Sequence, residues 1–344
     1  MAQINKPDEY FNTVLYTGDG TTPRNITGVG FNPDWVWIKN RSIDASHFLG
    51  DRLRGDNKNL NSNSSASEED NSAKFRSLIT DGFQVGNHAG ANGSGNNIVA
   101  WNWLAGGTGV SNTDGSITST VSANTTNGFS IVSYTGTGAN ATVGHGLGSV
   151  PKVMFVKRRS TSSDWTCYFE SLGNTKRAVL NSTAVPDTAS TFWNSTTPTS
   201  SVFSIGTSGG TNDSSETYIA YCFAEKKGFS KFGSYEGNNS SDGSFIYTGF
   251  SPSWVMIKNI DTSATAWVIQ DSKRSSSGGG NQADKRLRAN ASNEEETDSA
   301  VDLLSNGFKI RSTGSFTSDA NTYIYMCFAE SPLVGTNNTP ATAR

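Results

Sequence analysis

A phrase written three times restricts this chain more than any other feature. "PDWVWIK" at 33–39 returns as "PKVMFVK" at 151–157 and "PSWVMIK" at 252–258, at intervals of about a hundred residues within 344. Each copy follows a Tyr-X-Gly segment (16–18, 134–136, 235–237). Each precedes an aromatic one: "IVAWNW" at 98–103, "YIAYCF" at 218–223, "YIYMCF" at 323–328. Self-similarity at a fixed period is the mark of repeated structural units. The chain therefore divides into modules at 1–106, 127–226 and 227–332. A Gly/Ser/Thr-rich connector is expected over 107–126 and a tail over 333–344. The link "AEKKGFSKFG" between the second and third modules is short, so those two should pack together.

Inside the phrase, side chains alternate. Trp35 and Trp37 share one face with Lys39, and Val36 and Ile38 share the other. Phe155 and Trp254 hold corresponding places. Alternation of β-branched and aromatic residues marks a strand, and two apolar faces mark one covered on both sides. One cover is the module's own second sheet. The other is a sister module or another subunit, which motivates a symmetric homo-oligomer, taken as a trimer. Trp35, Trp37, Phe155, Trp254, Trp101 and Trp103 are the expected inter-module or subunit packing residues. The lysine closing each phrase should lay its stem on the aromatic face and lift its ammonium into water.

The fold class that follows is all-β: three repeated β-sandwich modules, jelly-roll or lectin-like, of seven to nine strands each, with short helical turns. Helical turns are placed at 65–83 and 291–308. There Ser65/Glu68 and Ser292/Glu295 have capping-box spacing. Composition agrees, because 36 Gly and few charged residues (17%) suit turns, while 18 Phe, 10 Tyr and 8 Trp demand a core. Net charge is −3 with no basic stripe, which argues against nucleic acid as a partner. No apolar run reaches the roughly 20 residues of a membrane span. The first ten residues lack the apolar region of a secretory signal. Cys167, Cys222 and Cys327 fit neither a disulfide framework nor a zinc motif.

Chemistry is sparse. His47 stands where the sister modules have Trp165 and Trp267, a packing slot. His88 lies in a glycine-rich loop expected to be exposed, and His145 in "GHGLG", which a strand follows where phosphate binding needs a helix. Glu68-Glu69-Asp70 and Glu294-Glu295-Glu296 lack the alternation of a calcium loop. Cys222 and Cys327 read as strand fillers. No catalytic set, cofactor site or metal site is assigned. A glycan-degrading enzyme would need paired carboxylates, for which Asp51 and Asp271 are the candidates, though matching aspartates in repeated turns read more simply as turn stabilisers. Trp193, in a Ser/Thr-rich loop, is the candidate for surface recognition of a host glycan or protein.

Three long segments, "GSITSTVSANTTNGFSIVSYTGTGANATVGHGLGSVPKVMFVKRR" (116–159), "AYCFAEKKGFSKFGSYEGN" (220–238) and "YTGFSPSWVMIKN" (247–259), resemble the repeated domain of bacteriophage virion proteins. These are frequent in marine phages and often labelled tail fibre or virion structural protein. The resemblance runs from about residue 10 to the end and transfers no catalytic residue. It implies a non-enzymatic protein of the virion exterior, made in the host cytoplasm, with other virion proteins as partners. Tail-associated host contact is the expected role, with head decoration as the alternative and a tailspike-type enzyme behind both.

Overall fold

The structure, a computed structural model, describes residues 3–276 and 281–331. The tail expected at 333–344 lies outside the described residues. In module one the opening strand Phe11–Thr17 pairs with the closing strand Asn97–Trp103, which pairs with the phrase strand Trp35–Asn40, which pairs with Phe48–Asp51, all antiparallel. Module two repeats this as Phe129–Thr135, Thr217–Phe223, Val153–Arg158 and Thr166–Phe169. Module three repeats it as Ser230–Glu236, Thr322–Phe328, Trp254–Asn259 and Val268–Asp271. Even the registers coincide, with Trp35 opposite Trp103, Val153 opposite Phe223 and Trp254 opposite Phe328.

A second layer closes each sandwich. In module one it is Arg24–Thr27, Gly82–Val85 and Phe75–Ile79. In module two it is Ala141–Gly144 with Val202–Ile205. In module three Phe245–Tyr247, Gly307–Ile310 and Glu296–Leu304 join the first layer through Gln282–Arg288, giving one eight-stranded sheet. Ser244 Oγ donates to the Glu236 carbonyl and ties that sheet's two ends into a near-barrel.

The phrase strand is apolar on both faces because it serves two cores. Val36 and Ile38 point into module one's sandwich, Met154 and Val156 into module two's, Val255 and Ile257 into module three's. On the other face Trp35, Trp37, Val153, Phe155, Trp254 and Met256 enter a single cluster drawn from all three modules. The three inner sheets face one another about a pseudo-threefold axis. Near it the equivalent residues Trp103, Phe223 and Phe328 meet, with ring centroids 5.7 Å and 5.8 Å apart. Trp35 stacks on Tyr221 of module two at 4.5 Å. Each such ring contributes about 1.5–3 kcal/mol through burial. The second cover is thus a sister module, so the apolar face that motivated a trimer is already covered within one chain.

Three expectations are corrected. Among the described residues, α-helical turns lie at Ala89–Asn92, Ser190–Trp193 and Gly209–Asn212, and 3-10 turns at Pro7–Glu9 and Glu170–Leu172. Residues 65–83 and 291–308 carry strands, including Phe75–Ile79 and Glu296–Leu304. Their capping-box spacing yields to tertiary demand: the Ser65 and Ser292 carbonyls accept hydrogen bonds from a neighbouring module, which a helix would withhold. The connector 107–126 is folded, since Val110–Asn112 and Ser119–Asn124 extend module two's sheet. Gly106 lies so close to that sheet that a Cβ would meet the Ala123 carbonyl oxygen at 2.5 Å, so glycine here allows close packing.

Candidate functional site

The most organised chemistry lies at the seams between modules, where one set of contacts recurs cyclically. Each phrase lysine reaches back into the preceding module. Lys39 Nζ donates to the Ser292 carbonyl, Lys157 Nζ to Ser65 and Lys258 Nζ to Thr183. Each lysine also donates to the carbonyl of its own next residue. These ammonium groups are buried, contrary to the expected exposure in water. Desolvation lowers all three pKa values to about 8. The slot before the fourth strand behaves the same way. Trp165 Nε1 donates to the Asn61 carbonyl at 2.9 Å and Trp267 Nε1 to Val179 at 3.0 Å. His47 Nε2 lies 2.9 Å from the Arg288 carbonyl.

His47 is a packing residue, as its slot implied, and a polar one. Its Nδ1 accepts from Trp37 Nε1 at 2.8 Å, so Nε2 carries the proton and donates. Burial holds its pKa well below the ordinary imidazole value. His145 is buried and donates from Nε2 to Thr199, while its Nδ1 accepts from Leu147 N. His88 is half-buried, and its Nδ1 accepts from Gly90 N at the start of Ala89–Asn92.

Two seams carry a buried ion cluster. Between modules one and two, Asp51 binds Arg54, and both side chains are wholly buried. Tyr221 donates its hydroxyl to Asp51 at 2.6 Å from across the seam. Glu68 takes a bidentate pair from Arg159 of module two, at 3.0 Å for each contact. Between modules three and one, Asp271 binds Arg274 at 2.6 Å, Trp101 Nε1 donates to Asp271 at 2.9 Å, and Glu295 takes a bidentate pair from Arg41. The third seam has apolar residues at four of the matching places. Phe169 stands for the aspartate, Leu172 for its arginine, Ile260 for Arg41 and Arg159, and Met326 for Trp101 and Tyr221. All four belong to or pack on the central cluster.

The candidate carboxylates Asp51 and Asp271 are therefore fasteners, sealed from solvent and held by arginine, in a geometry that offers nothing to a glycosidic bond. The acidic triplets are not helix starts: apart from Glu294 they are strand and seam residues with basic partners, such as Glu296 with Arg286 and Arg288. No group of three metal-ligating side chains occurs among the described residues. The three cysteines are free and buried, with thiols driven up by burial. Trp35, Trp37, Phe155, Trp254, Trp101 and Trp103 come together in the central cluster. Trp193 does not reach the surface: it is buried against Tyr168, with its indole N–H on the Lys176 carbonyl. The sequence offered Glu68 and Glu295 a helix-capping role where they pair across a seam, and missed Arg54, Arg159, Arg274 and Arg41. The repeated Asp-x-x-Arg at 51–54 and 271–274 was their signal.

Among the described residues, a groove of about 530 Å³ lies between modules two and three beside the short link. Lys152, Lys227, Lys231 and Glu225 line it, together with Val150 and Tyr247. Tyr247 is 66% exposed and Phe245, two residues earlier on the same strand face, is 47% exposed. One family, described as a domain of unknown function (DUF7483), matches residues 6–332. That match takes in all three modules and the segment between the first two. No curated protein and no solved structure matches the chain.

Proposed function

The chain belongs to the family of that domain of unknown function, and taking the whole three-module body as its working unit, we propose that it is a non-enzymatic structural protein of a bacteriophage virion exterior, tail-associated and in contact with the host surface. The observation that carries this reading is the use made of the candidate catalytic groups. Asp51, Asp271 and His47 all act as internal fasteners of a sealed three-sheet body, and the chemistry left at the surface suits recognition. The resemblance to virion proteins supports the setting. Partners would meet the outer sandwich faces and loops, because the inner faces are consumed within the chain. Mass spectrometry of purified virions tests this by counting the chain against the major capsid protein. A count far below one per capsid subunit, with antibodies that block adsorption, is expected. Absence from particles would overturn the reading, as would release of new reducing ends from host polysaccharide.

Head decoration is the second reading, favoured by the pseudo-threefold axis. One chain presenting three related outer faces suits a threefold position on a shell. A near one-to-one count and particles that lose stability without the protein would establish it in place of the first.

A further inference from the structure

We infer that the groove between modules two and three is a binding site for a carboxylated polysaccharide, with a sugar ring against Tyr247 and its carboxylate among the lysines. This deepens the host-contact reading and rests on it for its biological meaning.

Charge is the first observation. The chain is net negative at −3, yet this groove collects Lys152, Lys227 and Lys231 against Glu225. Lys231 is paired with Glu225 at 2.7 Å, and Lys152 with Glu170 just outside the groove. Lys227 is exposed and has no carboxylate partner among the described residues. An anion entering the groove meets one free ammonium and two that can share their partners.

The aromatic rings are the second. Phe245 and Tyr247 alternate with inward-facing Ile246 on the strand Phe245–Tyr247. The pleat sets them about 7 Å apart on one outward face. Phe245 lies over Gly307, whose missing side chain leaves room for the ring. Tyr247 lies by Gly249, at φ +82°, where a Cβ would come within 3.6 Å of the phenol oxygen. A ring backed by glycine keeps its outer face open, and an amphipathic ring so exposed beside cations is a recognition feature rather than a core residue out of place. Flat apolar faces with hydrophilic rims belong to pyranose rings, and carboxylate on such a ring complements the lysines. An acidic peptide would satisfy the charges but would leave the paired ring faces unexplained.

Isothermal titration of the full chain at low salt, with oligosaccharides of polygalacturonate, alginate and hyaluronate as probes, tests the assignment. Dextran and poly-glutamate serve as the uncharged and the peptide controls. At least one uronate probe should bind, more weakly as salt rises. Tyr247→Ala and Lys227→Glu should each weaken binding by about tenfold, the effect of losing one good contact. Both side chains are exposed, so unchanged melting temperatures should confirm that both variants fold. Binding to none of the uronates, indifference to Tyr247→Ala, or equal binding of poly-glutamate would each overturn the proposal. A protein present in virions that ignores every probe removes this ligand and leaves the host-contact reading. One that binds uronate but is missing from particles does the reverse.

Discussion

Asp51→Ala should unfasten the seam between modules one and two, and its cost follows from what it leaves behind. Arg54 is wholly buried, and removing its partner strands a cation at about 3–5 kcal/mol. The Tyr221 hydroxyl loses its acceptor, and the Leu53 and Arg54 backbone N–H groups lose Asp51 Oδ1. Each unmet group adds about 1–3 kcal/mol. Glu68, 3.5 Å from Arg54, recovers part of this. A net loss of about 5 kcal/mol is expected, a third or more of the stability of an ordinary domain. The chain supplies its own control. Asp51→Phe with Arg54→Leu and Tyr221→Met writes three of the third seam's residues into the first, removing the wholly buried Asp51–Arg54 pair at once and leaving Glu68 to Arg159. Exchange of a buried pair for apolar residues of similar volume is close to neutral, so the triple variant should lie within about 2 kcal/mol of the parent. Urea unfolding at pH 7, followed by tryptophan fluorescence, measures both. A single variant costing under about 1 kcal/mol, or a triple variant less stable than the single, would refute the assignment of the clusters as seam fasteners.

Other expectations are more compact. His47→Trp should overpack by about 1–3 kcal/mol, and Trp37→Phe should rescue it, because module two holds that pair, Phe155 and Trp165, at the matching places of the same core cluster; a double-mutant cycle in urea measures the coupling. The phrase lysines titrate near 8 in the fold but near 10.4 unfolded, so the unfolded chain holds more protons between those values. Stability should therefore rise from pH 8 to 9, by roughly 1 kcal/mol per lysine. From about pH 8.5 upward the buried thiols, whose folded pKa is raised, should offset part of that rise without cancelling it below pH 9. Urea midpoints across that range give the slope, and a flat or falling profile from 8 to 9 would show the ammoniums to be solvated. Cys167, Cys222 and Cys327 should resist a thiol reagent at pH 8 until denaturant is added.

What the sequence disclosed was whatever repeats with a period of two. The phrase strand's two apolar faces, its place inside a sheet and its double cover all follow from Trp35, Val36, Trp37 and Ile38 and their counterparts. The identity of the second cover did not follow, because alternation says that a face is buried and not by whom. Residues 65–83 misled because Ser65 and Glu68 have a helix-start spacing. Their partners, Lys157 and Arg159, lie about ninety residues away, beyond the reach of a local rule. Trp193 misled for a related reason: its Ser/Thr-rich neighbours describe a loop, but not that the loop's one indole turns inward to Tyr168. Tyr247 went unnoticed because a tyrosine in a short strand carries no mark of which face it takes when that strand lies at a sheet's end.

Two departures from threefold repetition, the apolar seam and the open groove, lie at the same module boundary, and a physical reason connects them. The first module boundary is sheathed by the strands at 110–112 and 119–124. The second has only the short link, which leaves the groove open. The helical turn Glu170–Leu172, carrying the residue that replaces the seam arginine, touches the strand Ser230–Glu236, which begins on the groove wall. A charge cluster beside a water-filled groove would have its attraction screened, while its burial cost would persist on the dry side. Apolar contacts lose little from a wet neighbour. Phe169, Leu172, Ile260 and Met326 are therefore the residues that let modules two and three stay joined along an open groove. An ionic set at that position should weaken the seam as salt is raised, which the parent's apolar set should not.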